Sequence, residues 1–233
     1  MPHFLLACLL ACCLPLALAA GSSPRDLGVV PVPSTNTRAE LPLVVFMTGD
    51  GGWAALDKGV STRLAAAGWP VIGWSTLTYF WHKKTPEQVT ADLLDLLDHY
   101  RQRWPNRTWV LIGFSFGAEI VPFIINRLPA AERARLLAGV MLSPSTESDF
   151  EIHVSDWVSS NKYQGYATQP ETERISDIPL FCFYGQEDDD PDVLCPLLTQ
   201  HNVTNIALPG GHHFEDDYPW MVTLLHRHIP LSR

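Results

Sequence analysis

Apolar residues along this chain fall into two alternating kinds of block, short unbroken runs and longer stretches with helical spacing. Leu43 to Met47 is a continuous apolar run followed by Thr48-Gly49-Asp50-Gly51-Gly52, which predicts a buried strand ending in a glycine-rich turn. A helical pattern follows over 56–67 and is closed by Gly68. The unit then recurs, with a strand over 70–74. Val89, Leu93, Leu96, Leu97 and Tyr100 sit at helical spacing within 86–104, and Pro86 suits that helix's first turn. The run 108–114 predicts a strand leading into a helix over 116–127, and 138–142 predicts another strand. Beyond these come a strand over 180–184, a helix over 191–200, a strand over 204–208 and a closing helix near 217–228. About six strands alternating with helices predict an α/β fold, its mainly parallel sheet covered on both faces.

Two stretches break the pattern. Residues 21–40 carry Pro24, Pro31, Pro33 and a Ser/Thr/Asn cluster, and read as a linker or a weak edge strand. Residues 145–177 form an insertion after the fourth strand and include Phe150, Trp157, Tyr163 and Tyr166. That is longer than a usual connection inside a compact domain, so it reads either as a lid or as an ordered surface excursion. The remainder, 41–233, is long enough for one catalytic domain and too short for two.

The first twenty residues are almost wholly apolar and end in Leu16-Ala17-Leu18-Ala19-Ala20, which predicts a signal peptide over 1–20 and export to the periplasm. Its alternatives are an uncleaved membrane anchor and, from Leu9-Leu10-Ala11-Cys12, a lipoprotein cleavage box. Cleavage would remove Cys8, Cys12 and Cys13 and leave Cys182 and Cys195 as an even pair. In an oxidising compartment such a pair forms a disulfide; two buried thiols are the alternative.

Composition adds little beyond ruling classes out. A hydrophobic fraction of 46% with 18% charged residues describes an ordinary globular chain. Net charge is −9, and the basic residues are scattered apart from Lys83-Lys84, so direct nucleic-acid binding is excluded as a working reading.

The chemistry is concentrated at the predicted strand ends. Gly113-Phe114-Ser115-Phe116-Gly117 is a G-x-S-x-G sequence between an apolar strand and a helix, the context of the nucleophile elbow in the α/β-hydrolase fold. A serine hydroxyl needs a base to take its proton and a carboxylate to hold that base. After strand 180–184, Gly185-Gln186-Glu187-Asp188-Asp189-Asp190 offers Asp188 as the acid, with Glu187 and Asp189 as alternatives. After the last strand, Gly210-Gly211-His212-His213 offers His212 as the base, with His213 as runner-up. The amides of Phe116 and Asp50 are the expected oxyanion donors. Trp53, Tyr79 and Trp81 are expected to line an apolar substrate pocket. A metal site built from His212, His213, Asp216 and Asp217 is the weaker reading, so no metal or cofactor is called for.

Together, Thr48-Gly49-Asp50-Gly51-Gly52-Trp53, Tyr79-Phe80-Trp81 with Thr85-Pro86-Glu87-Gln88, Gly113 to Glu119, and Phe150-Glu151-Ile152-His153 resemble the bacterial VirJ/AcvB virulence-protein family. The likeness runs from about Leu41 to the C-terminus, with Glu119 standing where members often carry Asp. It implies a periplasmic α/β-hydrolase linked to type IV secretion and to hydrolysis of lysyl-phosphatidylglycerol. Expected partners are therefore an aminoacylated phospholipid or other ester at a membrane surface, and secretion-system proteins. Two competing expectations are a non-catalytic periplasmic binding or chaperone protein on a hydrolase scaffold, and a general esterase or thioesterase.

Overall fold

The computed structural model describes residues 27–34, 36–105, 107–152 and 165–232. The expected signal peptide, with Cys8, Cys12 and Cys13, and the residues Trp157 and Tyr163 of the insertion lie outside the described residues. No helix among the described residues is long and apolar enough to cross a membrane.

The described residues form a seven-stranded sheet in the order β1-β3-β2-β4-β5-β8-β9. Its members are β1 (Val29–Pro31), β2 (Leu43–Met47), β3 (Val71–Trp74), β4 (Trp109–Phe114), β5 (Leu136–Leu142), β8 (Leu180–Gly185) and β9 (Val203–Leu208). All neighbours are parallel except β1, which runs antiparallel to β3 at the edge. The six strands expected from the sequence are the six parallel ones. Strands β2 to β5 are buried along their whole length, as a sheet covered on both faces requires.

Two apolar layers cover the sheet. On one face α3 (Pro86–Arg101) and α4 (Phe116–Arg127) bury Val89, Leu93, Leu97, Ile120 and Ile124. On the other face α1 (Ala55–Ala66) and α7 (Tyr218–His228) bury Leu56, Val60, Leu64, Met221 and Leu225. Thr85 caps α3, accepting from the Gln88 amide at 3.2 Å, while Gln88 accepts from the Thr85 amide at 2.9 Å. Helix α4 runs through Pro122 because almost every residue around it is buried, and packing outweighs the lost backbone bond.

The stretch 191–200 does not form the expected helix. Only a 3₁₀ turn, Cys195–Leu197, is present, while Val193 bridges Ser145 and Cys195 is bonded to Cys182. Pro191 and Pro196 withhold two amides, and the disulfide fixes the path, so no helix propagates.

The insertion is anchored at both described ends. Strand β6 (Glu147–Ser148) pairs antiparallel with β7 (Tyr166–Ala167), leading into α6 (Thr168–Glu173). Phe150 is fully buried, its ring edge-on to Phe80, Phe123 and Tyr166. Backbone bonds from Lys84 to Phe150 and from Ile152 to Phe80, 3.0 and 2.9 Å, tie it to the loop after the short helix α2 (Thr76–Tyr79).

Candidate active site

Strand order reverses direction at β2 and β4, so the loops leaving their carboxyl ends part and open a crevice there. Ser115 stands at the end of β4 with φ 49° and ψ −122°, a left-handed conformation that costs a non-glycine residue energy. Both flanking glycines are required by contact. A Cβ on Gly113 would run into the Gly117 carbonyl, and one on Gly117 into the Thr48 carbonyl at the end of β2. The Ser115 amide donates to the Leu142 carbonyl at 2.8 Å, which pins the turn to β5.

Two loops from the far side of the sheet reach this serine. His212 Nε2 lies 3.0 Å from Ser115 Oγ, and His212 Nδ1 lies 3.2 Å from Asp188 Oδ2. With its proton on Nδ1, the ring donates to the carboxylate and accepts from the hydroxyl. The Asp188 side chain is 6% exposed and that of His212 32%, so the acid is sheltered while the base meets solvent. Glu187 and Asp189 are exposed instead, and His213 is exposed, its ring 5.4 Å from that of Phe114. Among the described residues no group of three or more His, Cys, Asp or Glu could hold a metal ion.

The acid and base loops press directly on each other. A Cβ on Gly185, at the end of β8, would collide with the carbonyls of Gly210 and Gly211. The Glu187 amide donates to the Gly210 carbonyl at 3.0 Å. Cys182 and Cys195 form a disulfide with Cα atoms 5.5 Å apart, closing the segment that carries Asp188. Ser143, at the end of β5, donates its hydroxyl to the His212 carbonyl at 3.0 Å. Sequence alone does not reveal Ser143 or the role of Gly185, because both act through partners more than twenty residues away.

The expected oxyanion donors, the amides of Phe116 and Asp50, lie on segments next to the serine. Phe116 opens α4, and the first amides of a helix have no partner inside it. Asp50 follows Gly49, whose Cα passes so close that a Cβ there would lie 3.4 Å from the Ser115 Cβ. One turn beyond the serine, Glu119 is buried, and desolvation pushes its carboxyl up to about 8 while Ser148 and Ser145 partly offset this.

The three aromatics expected to line a substrate pocket differ in exposure: Trp53 is half-buried, Tyr79 buried and Trp81 exposed. Trp53 packs over Gly73 and edge-on to Phe46 at 6.5 Å, on the α1 and α7 face. Tyr79 is only 4% exposed and donates to Asp92 at 2.5 Å; burial, then that carboxylate, push its hydroxyl up. Trp81 projects into solvent at 53% exposure. Phe116, which follows the nucleophile, lies edge-on to Phe80 at 5.1 Å, and Phe80 in turn lies 6.0 Å from Phe150; Phe80 and Phe150 are fully buried.

A family model described as bacterial virulence protein (VirJ) matches residues 42–229. No curated protein matches the chain significantly. Among solved structures it is similar to Est1E from Butyrivibrio proteoclasticus, at TM-score 0.57 and 14% identity over 83% of this chain and 88% of that one. It is similar also to an alpha-beta serine hydrolase homologue from Coxiella burnetii, at TM-score 0.56 and 14% identity over 87% and 91% of the two chains. A third is XC6422 from Xanthomonas campestris, described as an a/b serine hydrolase without lid, at TM-score 0.56 and 14% identity over 88% and 89%. At such identities the likeness carries the fold, which is that of the α/β hydrolases.

Proposed function

The chain belongs to the bacterial virulence protein (VirJ) family, and from that premise, joined to the site geometry, we propose that it is an exported serine hydrolase acting on a carboxylic ester. The observation that carries the reading is the continuous relay from Ser115 Oγ through His212 to Asp188, at 3.0 and 3.2 Å. In this reading Ser115 Oγ attacks the ester carbonyl while His212 Nε2 takes its proton and Asp188 steadies the imidazolium. The amides of Phe116 and Asp50 stabilise the tetrahedral oxyanion. His212 then protonates the departing alkoxide, and water activated by the same imidazole frees Ser115 from the acyl group.

The substrate proposed is the aminoacyl ester of lysyl-phosphatidylglycerol, reached from the membrane surface in the periplasm, and the support for it is the family resemblance. A buried disulfide suits that oxidising compartment. Purified protein should label with a fluorophosphonate probe and release lysine from lysyl-phosphatidylglycerol vesicles, and Ser115→Ala should abolish both. Labelling that survives the substitution removes Ser115 as nucleophile. Labelling without lysine release, combined with turnover of simple esters or thioesters, moves the assignment to a general esterase. A Ser115→Ala protein that restores a deletion phenotype supports a binding or chaperone role instead.

A further inference from the structure

One exposed loop has no part in the reaction or in the core. Residues 81–84, Trp81-His82-Lys83-Lys84, lie between α2 and α3. Trp81 is 53% exposed, more than any other described tryptophan, and His82 and Lys83 are exposed beside it. A lone surface aromatic needs no explanation. This one stands next to the chain's only adjacent pair of Lys or Arg residues, in a protein of net charge −9. An indole beside ammonium groups suits the boundary between lipid headgroups and acyl chains, which is apolar on one side and wet and anionic on the other.

The loop is held at both ends. The Phe80 carbonyl accepts from the Ile152 amide at 2.9 Å, the Lys84 amide donates to the Phe150 carbonyl at 3.0 Å, and Thr85 then caps α3. Lys84 Nζ lies 4.9 Å from the centre of the Tyr79 ring. Carboxylates on the neighbouring segments have partners of their own: Asp92 accepts from Tyr79, Glu87 from Arg127 at 2.7 Å, and Asp149 from the Glu151 amide at 3.0 Å. Among the described residues neither Lys83 nor Lys84 is in an ion pair with a carboxylate. Trp220 offers a contrast within the same molecule. It is 43% exposed, yet Glu215, Asp216 and Asp217 precede it and Arg227 lies over its ring at 5.9 Å, so an anionic surface gains nothing there.

The loop also lies close to the site. It begins one residue after Phe80, whose ring is edge-on to that of Phe116, the residue after the nucleophile. We propose that residues 81–84 dock the protein on an anionic phospholipid bilayer, with Trp81 entering the headgroup boundary and Lys83 and Lys84 meeting lipid phosphates. The purpose of this contact, reaching an ester held in lipid, rests on the hydrolase reading above; the docking itself does not. Two lysines and one indole amount to a weak, reversible attachment, well short of an anchor.

The test is flotation with vesicles of phosphatidylcholine alone, or of phosphatidylcholine with about a third phosphatidylglycerol, at millimolar lipid. It uses the chain from residue 21 onward, the form left by the expected cleavage, which retains every described element. Wild-type protein should float with the phosphatidylglycerol vesicles, stay behind with phosphatidylcholine alone and be released by high salt. Lys83→Ser/Lys84→Ser should weaken binding about thirtyfold, the worth of two lysines at an anionic surface. Trp81→Ser should weaken it about tenfold through lost apolar contact. Trp220→Ser and Ser115→Ala should bind as the wild type does. Equal binding to both kinds of vesicle, or binding that survives the lysine and tryptophan substitutions, would overturn the docking role, and loss on Ser115→Ala would place the lipid in the crevice instead. Vesicle binding by a protein that takes no fluorophosphonate at Ser115 would leave the docking standing and remove the hydrolase reading.

Discussion

At the scale of single residues, the relay is legible in sequence because each member announces itself locally. Ser115 sits between glycines that the turn demands, His212 follows a glycine pair, and Asp188 follows the glycine ending β8. Residues that hold the relay from a distance carry no such signature. Ser143 is the clearest case, since its partner, the His212 carbonyl, is 69 positions away. Ser143→Ala should cost about 1 kcal/mol in urea unfolding, the usual worth of one such bond. It should also lower ester turnover, because the backbone carrying the imidazole is released. Asp188→Asn leaves the shape of the side chain and removes its charge, so the imidazole loses its tautomer and its counter-ion. Turnover should fall by about 10⁴-fold with the unfolding transition little changed. Of the three prominent aromatics, Trp53 packs on Phe46, Tyr79 is buried and Trp81 faces solvent, while Phe80 is buried edge-on against Phe116.

At the scale of elements, continuous apolar runs marked the central parallel strands β2 to β5 well, since a strand covered on both faces has no polar side to break the run. Helix α4 was legible despite Pro122 for the same reason, its surroundings being apolar all round. The stretch 191–200 was not, because its path is set by the bond from Cys195 to Cys182 and by the bridge from Val193 to Ser145. A covalent tie across 13 positions restricts the unfolded chain, and replacing both cysteines by alanine should lower stability by about 3 kcal/mol on the chain-entropy account. Since the tied segment carries Asp188, thermal inactivation of the double variant should precede loss of helical circular dichroism. Simultaneous loss would show that the crosslink serves the whole domain and not this loop.

At the scale of the whole molecule, two buried carboxyls couple folding to pH. Glu119 is pushed up to about 8 from 4.5 and Asp57 to about 6 from 3.8, in both cases first by desolvation. The folded chain therefore holds protons that the unfolded chain releases. Their stabilising contribution is complete below about pH 4 and is lost as pH rises through 6 for Asp57 and through 8 for Glu119. The urea midpoint should fall between pH 5 and pH 9, and Glu119→Gln should flatten the upper part of that slope; an unaltered slope would show that Glu119 ionises as freely as an exposed side chain. One more consequence follows from Gly185, where the end of β8 meets the Gly210 and Gly211 carbonyls with no room for a side chain. Acid and base therefore ride on a single plate of backbone, which Ser143 ties to the same strand, β5, that holds the Ser115 amide. Carboxylate and imidazole should accordingly stay in step as the protein warms.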